Sequence, residues 1–444
     1  MTARLDHRGC AISGATPAAL QAYERALAAS QSWHAGAEEH LAEAMTEAPD
    51  FVMAHVLAAY LRLCSRDPGS VRSARPIAQR LRALRSNARE RLHLAAIEAT
   101  LDDDYERAKT RLAELLRLEP RDAVALQVAH AFDYATGDAA GLGERVARVL
   151  PAWTPDLPGY HAVLAMQAFG LEECGEYEAA EDSARAALAL HPRDARAHHV
   201  MAHVFEMTGR APEGERWLVT HAPDWSDGTI VATHGWWHLA LFQLAQGRLG
   251  SAIATYDARV RNPRSAAVAD LIDASALLWR VRLAGGTTEA RWTELARAWA
   301  PHIEDRFCSF NDLHAMLAFV GAGDVENVRR LERVLATARM QRTRHGHTTR
   351  EIGLPACRGI AAFGRGDDAC AIKLLGRLPE RVHRFGGSHA QRDVLHLTLM
   401  AAVERFRRPA RRPRGEALVA AVRRAAQRWQ RATAPRRSAA AVTP

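Results

Sequence analysis

The sequence predicts an all-α fold, an α-solenoid of about ten or eleven helical hairpins forming a superhelix. Proline and glycine punctuate it at regular intervals, apolar residues recur at helical spacing between them, and no alternating strand pattern of useful length occurs. The chain has 444 residues, 48% hydrophobic and 25% charged. That is too long for one ordinary core of about 100–200 residues, and too apolar for a disordered chain. An array resolves this, because each added hairpin contacts mainly its neighbours.

Taken in order, residues 1–15 read as irregular, 16–432 as a helical-repeat domain and 433–444 as a disordered tail. Three segments set the repeat: WHAGAEEHLAEAMTEAPDF with Pro49, DYERAKTRLAELLRLEPRDA with Pro120, and EYEAAEDSARAALALHPRDA with Pro192. Their prolines lie 71 and 72 residues apart, about two periods of 34 to 36. Ala37, Ala108 and Ala180 each stand twelve places before the proline. This is tetratricopeptide grammar: a small residue lets two antiparallel helices approach closely, and proline stops the second. Looser hairpins follow in HLALFQLAQGRLGSAIATYDARV, HAMLAFVGAGDVENVRRLERVL and CRGIAAFGRGDDACAIKLL, each with a glycine between its helices. A last helix is predicted over 415–431, apolar on one side and Arg-rich on the other, a polar cap for the array.

Several longer words are more specific than repeat grammar: DFVMAHVLA (50–58), RERLHLAAIEA (89–99), PAWTPDLPGY (151–160), HHVMAHVFEM (198–207), THGWWHLALF (233–242), RFCSFNDLHA (306–315), EIGLPACRGI (351–360) and GGSHAQRDV (386–394). Over roughly residues 50–400 the chain resembles the tetratricopeptide repeat protein 38 family. The resemblance implies a cytosolic-type α-solenoid and assigns no activity. The Arg-rich C-terminus departs from the family pattern.

With the small residue of each second helix as position 20, positions 2, 5, 9 and 12 of the first helix face the inner groove. In the repeat starting at Ala195 this stripe carries His199, His203 and Glu206; in the next, His234 and Trp237, with His238 alongside; in an earlier one, Glu90 and His93. Two further groups open later first helices: Asn311, Asp312 and His314, and then Ser388, Gln391, Arg392 and Asp393, with His389 and Asp393 one turn apart. The cluster predicts a groove that binds a peptide, protein or small-molecule ligand. His199 and His203 at i,i+4 have the spacing of two imidazole ligands on one helix, which Glu206, His234 or His238 would complete around a divalent metal. The alternative is an enzyme with the same cluster as its active site, a metal-dependent or acid–base hydrolase or oxidoreductase, with His203 as base and Arg392 holding an anionic substrate. Trp236-Trp237 and Cys357 read better as packing than as ligand contacts; the Gly386-Gly387-Ser388 turn reads equally well as an anion seat on free backbone N–H groups and as a glycine turn with a Ser helix cap.

The net charge of +8 is confined to the end of the chain: from residue 401 onward twelve Arg face two acids, and the preceding 400 residues balance to −2. Nucleic acid is therefore not an expected partner of the repeat body. No apolar run spans a membrane and no secretory leader is legible. Six cysteines without a CxxC pair argue against disulfides and thiolate zinc, and the predicted location is cytoplasmic.

Overall fold

The computed structural model describes residues 4–65 and 67–407. The helix expected at 415–431 and the tail at 433–444 lie outside them. Contacts divide the chain into two compact units, residues up to 171 with 178–235, and 172–177 with 236 onward.

The first unit opens on a two-residue antiparallel ladder, β1 (Arg4–Leu5) with β2 (Ala11–Ile12), where irregular chain was expected. Helices follow in sequence: α1 (Pro17–Gln31), α2 (Ala37–Glu47), α3 (Val52–Leu63), α4 (Pro68–Ala83), α5 (Ala88–Leu101), α6 (Tyr105–Leu118), α7 (Ala123–Thr136), α8 (Ala139–Val149), α9 (Tyr160–Glu173), α10 (Tyr177–Leu190), α11 (Ala195–Met207), α12 (Ala211–Thr220), α13 (Ala222–Trp225) and the first turn of α14 (Ala232–Ala245). Partners in a hairpin pack together (α1 on α2, α3 on α4, α5 on α6, α7 on α8, α11 on α12), and successive hairpins join through α2–α3, α4–α5 and α6–α7. The repeat signals do what the physics requires. Ala108 and Ala180 are fully buried, and Asp67, Asn87, Asp104, Asp122, Asp138 and Asp194 each cap a helix through the side chain.

Two helix backbones approach closely where α9 meets α8. A Cβ on Gly170 would lie 2.8 Å from the backbone carbonyl carbon and oxygen of Leu142 and 2.9 Å from Gly143 Cα. Backbone has no rotamer to escape into, so Gly170→Ala should separate the two helices. Overpacking of about 1–3 kcal/mol outweighs the roughly 1 kcal/mol of helix propensity gained. Urea unfolding of the variant is expected to show a lower midpoint, and a midpoint at or above wild type would refute the close contact.

The second unit continues from α14 through α15 (Leu249–Thr255) and a π-turn at Tyr256–Val260. It then holds α16 (Val268–Leu283), α17 (Glu289–Trp299), α18 (Ser309–Ala322), α19 (Val325–Ala338), α20 (Arg344–Thr348), α21 (Leu354–Gly364), α22 (Asp368–Leu375) and α23 (His389–Arg407). Gly247, Gly323 and Gly366 supply the positive φ between paired helices, as the sequence predicts. This unit has its own core, with Trp237, Trp279, Trp292 and Trp299 fully buried. Helix α23 returns to α16, where Trp279 Nε1 donates to Thr398 Oγ1 at 2.8 Å and Arg280 Nη2 to the Ala390 carbonyl at 2.6 Å. The all-α repeat fold is as predicted. No helix among the described residues is long and apolar enough to cross a membrane.

Candidate functional site

Helix α11 is the centre of the first unit's polar core. Pro192 follows the end of α10, and Asp194 caps α11 by accepting from Ala197 N at 3.2 Å. Along α11, Arg196, His199 and His203 fall at i, i+3 and i+7, so they share one face. The connection between α1 and α2 reaches this face as a strap. Ser32 accepts from Ala195 N at 3.3 Å, Gln31 accepts from Arg196 Nε at 3.3 Å, and His34 Nε2 meets the Arg193 carbonyl at 2.8 Å, 159 residues away along the chain. The strap also ties down the chain before α14: Trp33 accepts from Ile230 N at 2.9 Å, and Ala35 N donates to Gly228 at 2.8 Å. Trp33 takes a left-handed φ of 59° to do so, an uncommon conformation for a bulky residue. Its ring lies 5.4 Å from that of His199 and 4.6 Å from the guanidinium carbon of Arg196. The first turn of α14 brings His234. Gly235 makes this possible, since a Cβ there would meet the buried Trp225 ring at 2.3 Å.

These elements converge three imidazoles. His203 Nε2 lies 3.0 Å from His199 Nε2. The His234 ring centroid is 5.0 Å from that of His199, and the ligand nitrogens of all three lie within 4.8 Å of one another. Phe169 of α9 stacks on His199 at 6.0 Å and meets His203 edge-on at 5.6 Å. His203 is buried; His199 and His234 are half-buried. Burial first, then the neighbouring His203, His234 and Arg196, hold the His199 imidazole well below its ordinary pKa, so it is neutral. Two nitrogen ligands about 2.05 Å from a tetrahedral zinc stand about 3.3 Å apart, close to the His199–His203 separation.

A second group with metal-ligand spacing, His198, His221 and Asp224, is already used. His198 Nε2 meets the Pro192 carbonyl at 2.9 Å, and its Nδ1 accepts from Trp217 Nε1 at 3.2 Å. Both ring nitrogens serve packing, and no ligand position is left on it.

The other sequence candidates divide as follows. Glu206 is half-buried one turn beyond His203. Glu90 and His93 are part of the scaffold. Glu90 closes a capping box with Asn87 and accepts from Ser13 N at 2.8 Å, while His93 Nε2 meets Asp122 Oδ2 at 2.9 Å and its Nδ1 meets Tyr60 Oη at 3.3 Å. In the second unit Trp237 and His238 are buried, ring on edge at 4.8 Å, and Arg280 lies over Trp237. Asn311, Asp312 and His314 are buried on α18; Asp312 meets His345 Nε2 at 2.8 Å and His314 Nδ1 the Phe310 carbonyl at 2.7 Å. Ser388 and Gln391 cap α23 reciprocally. Arg392 is committed to Glu173 at 3.4 Å and to the Gly387 carbonyl, so it does not offer a free guanidinium to an anion. Asp393 is half-buried on the same helix, its carboxyl pushed up by burial against the opposing pull of Arg280 and His396. Cys357 is fully buried, and burial raises its thiol well above the ordinary range, as a packing residue requires.

Three residues of the site escaped the sequence reading. Arg196 stands at position 2 of the same stripe that carries His199 and His203, so the repeat register alone could have named it. Phe169 stands at position 9 of its own repeat, counted from Ala180, so the same register could have named it; Trp33 carried no such signal, because it reaches the site through the strap. No family model matches the chain.

Proposed function

We propose that the chain is a helical-repeat binding protein whose first unit holds a divalent transition metal of the zinc class on His199, His203 and His234. The observation that carries this reading is the pair of ring nitrogens 3.0 Å apart with a third imidazole inside ligand range. A neutral, desolvated His199 needs no deprotonation before it coordinates, and an all-imidazole set selects zinc, nickel or copper over magnesium and calcium. The aromatic rings of Trp33 and Phe169 border His199. In this reading the protein is a cytoplasmic member of the tetratricopeptide repeat protein 38 family, which the eight sequence words support, and its ligand is a peptide, protein segment or small molecule.

One feature favours an enzyme as the second reading: sites with three ligands and an open position are those in which zinc activates water. Elemental mass spectrometry and zinc titration of the full chain separate the outcomes. Wild type is expected to take up one zinc per chain, and His203→Ala and His234→Gln to lose affinity by about 100-fold or more each, with circular dichroism confirming the fold. A wild type that stays metal-free after zinc reloading, or variants that bind as well as wild type, would remove the metal site.

A further inference from the structure

The first unit buries a positive charge that its own side chains do not neutralise. Arg196 is 6% exposed. The hydrogen bond its guanidinium makes among the described residues is Nε to the Gln31 carbonyl at 3.3 Å, and no carboxylate of the described residues lies within ion-pair distance. Four other buried arginines differ: Arg8 meets Glu24 and Arg89 meets Asp122 at 2.6 Å, Arg261 meets Glu294 at 2.6 Å, and Arg392 meets Glu173 at 3.4 Å. The carboxylate that Arg196 does feel, Asp194, is occupied by His161 at 2.6 Å and by the Ala197 N–H. Desolvation accordingly lowers the Arg196 pKa to about 10. Its charge in turn helps keep His199 and His130 neutral.

An isolated buried charge costs several kcal/mol, and stacking on Trp33 with one long bond to a carbonyl offsets only part of that. A merely structural strap fastener would need no charge, since a neutral amide donates to Gln31 equally well. The guanidinium also sits on the face of α11 that carries His199 one turn on.

We propose that Arg196 pairs with the acid group of this site's ligand, so that the molecule bound beside the three histidines is a small oxyanion, a carboxylate or a phosphate. The proposal rests on reading this core as a ligand site and names the charge of what it takes. Arg suits the task because its planar fork matches carboxylate and phosphate oxygens two at a time. Bound there, the acid supplies the missing counter-charge and its remainder faces the imidazoles.

The test is thermal unfolding of wild type, Arg196→Gln and Arg196→Lys in sodium chloride, inorganic phosphate, acetate and succinate at matched ionic strength, with and without zinc. Wild type is expected to gain about 2–4 °C in at least one oxyanion over chloride. Arg196→Gln, which keeps a donor for Gln31 but no charge, should lose that gain, and Arg196→Lys should keep part of it. A gain in phosphate alone identifies a phosphate-bearing ligand; a gain in acetate or succinate alone identifies a carboxylate. No gain in wild type, or an equal gain in Arg196→Gln, overturns the proposal. Should Arg196→Gln fail to fold, a folded Arg196→Lys without any gain overturns it as well. Zinc titrations of the same samples keep the two readings apart. Oxyanion stabilisation in a protein that takes no zinc removes the metal and leaves the anion site, whereas zinc uptake without an Arg196-dependent gain removes only the anion.

Discussion

Lowering the pH from 6.5 to 3 is expected to remove up to about 5 kcal/mol of folding stability through His130 alone. His130 is buried on α7 with Nε2 against the Met166 carbonyl at 3.0 Å. Burial, followed by the Arg196 charge, pushes its pKa down to about 3 from the ordinary 6.5, against the opposing effect of that backbone bond. Between those values the unfolded chain carries a proton that the folded chain does not, so unfolding takes up a proton and acid favours it. The loss begins as pH falls below about 6.5 and is complete near the folded pKa. His199 and His198, both lowered chiefly by burial, act in the same direction. Denaturant titrations at pH 7, 6, 5 and 4 should show a midpoint that falls with pH in wild type. The fall should be shallower in His130→Gln, whose amide can still donate to Met166 but does not titrate. Parallel curves for the two proteins would show that His130 is not the acid-labile group.

Asp122→Ala is expected to cost about 3–5 kcal/mol, because it strands a buried cation. The Asp122 carboxylate is fully buried. It accepts from Arg89 Nε at 2.6 Å and meets His93 Nε2 at 2.9 Å, and its other oxygen caps α7 at Ala125 N, 2.9 Å. Burial alone would raise its pKa; Arg89 and then His93 outweigh that and hold it well below the usual carboxylate range. Without it Arg89 keeps, among the described residues, Asp6 at 3.6 Å and the Ala11 carbonyl. Asp122→Asn retains a cap acceptor and should fall between. Urea unfolding of the three proteins checks the order, and a loss under about 1 kcal/mol for the alanine variant would mean that the network contributes little.

Much of the architecture was legible because it follows from local rules. The alanine–proline spacing located α2, α6 and α10, the glycines located three later turns, and the i,i+4 spacing of His199 and His203 placed both on one face of α11. The same rules could not separate a ligand stripe from a scaffold stripe. Positions 2 and 5 carry Glu90 and His93 in one repeat and Arg196 and His199 in another, two polar pairs of identical register. Glu90 and His93 acquire Ser13, Asn87, Tyr60 and Asp122, and become part of the frame. Arg196 acquires a single carbonyl from the strap and keeps its charge uncompensated. In the second unit Arg392 reads in sequence as an anion holder, and Glu173, 219 residues away, takes it up.

By itself, then, the sequence determined the helical-repeat class, the stops marked by the aligned prolines and glycines, and which side chains share a helical face, since these depend on contacts within about one repeat of 34 to 36 residues. Tertiary structure decided which of those faces are satisfied. It set Trp33 against His199 and Arg196 through a short strap whose partners on α11 lie some 165 residues along the chain. It spent both nitrogens of His198 on Pro192 and Trp217, and left His199, His203 and His234 converging. The physical reason is that a buried polar group is structural or functional according to which partner the chain returns to it, and those partners come from residues whose separation along the sequence no periodicity encodes.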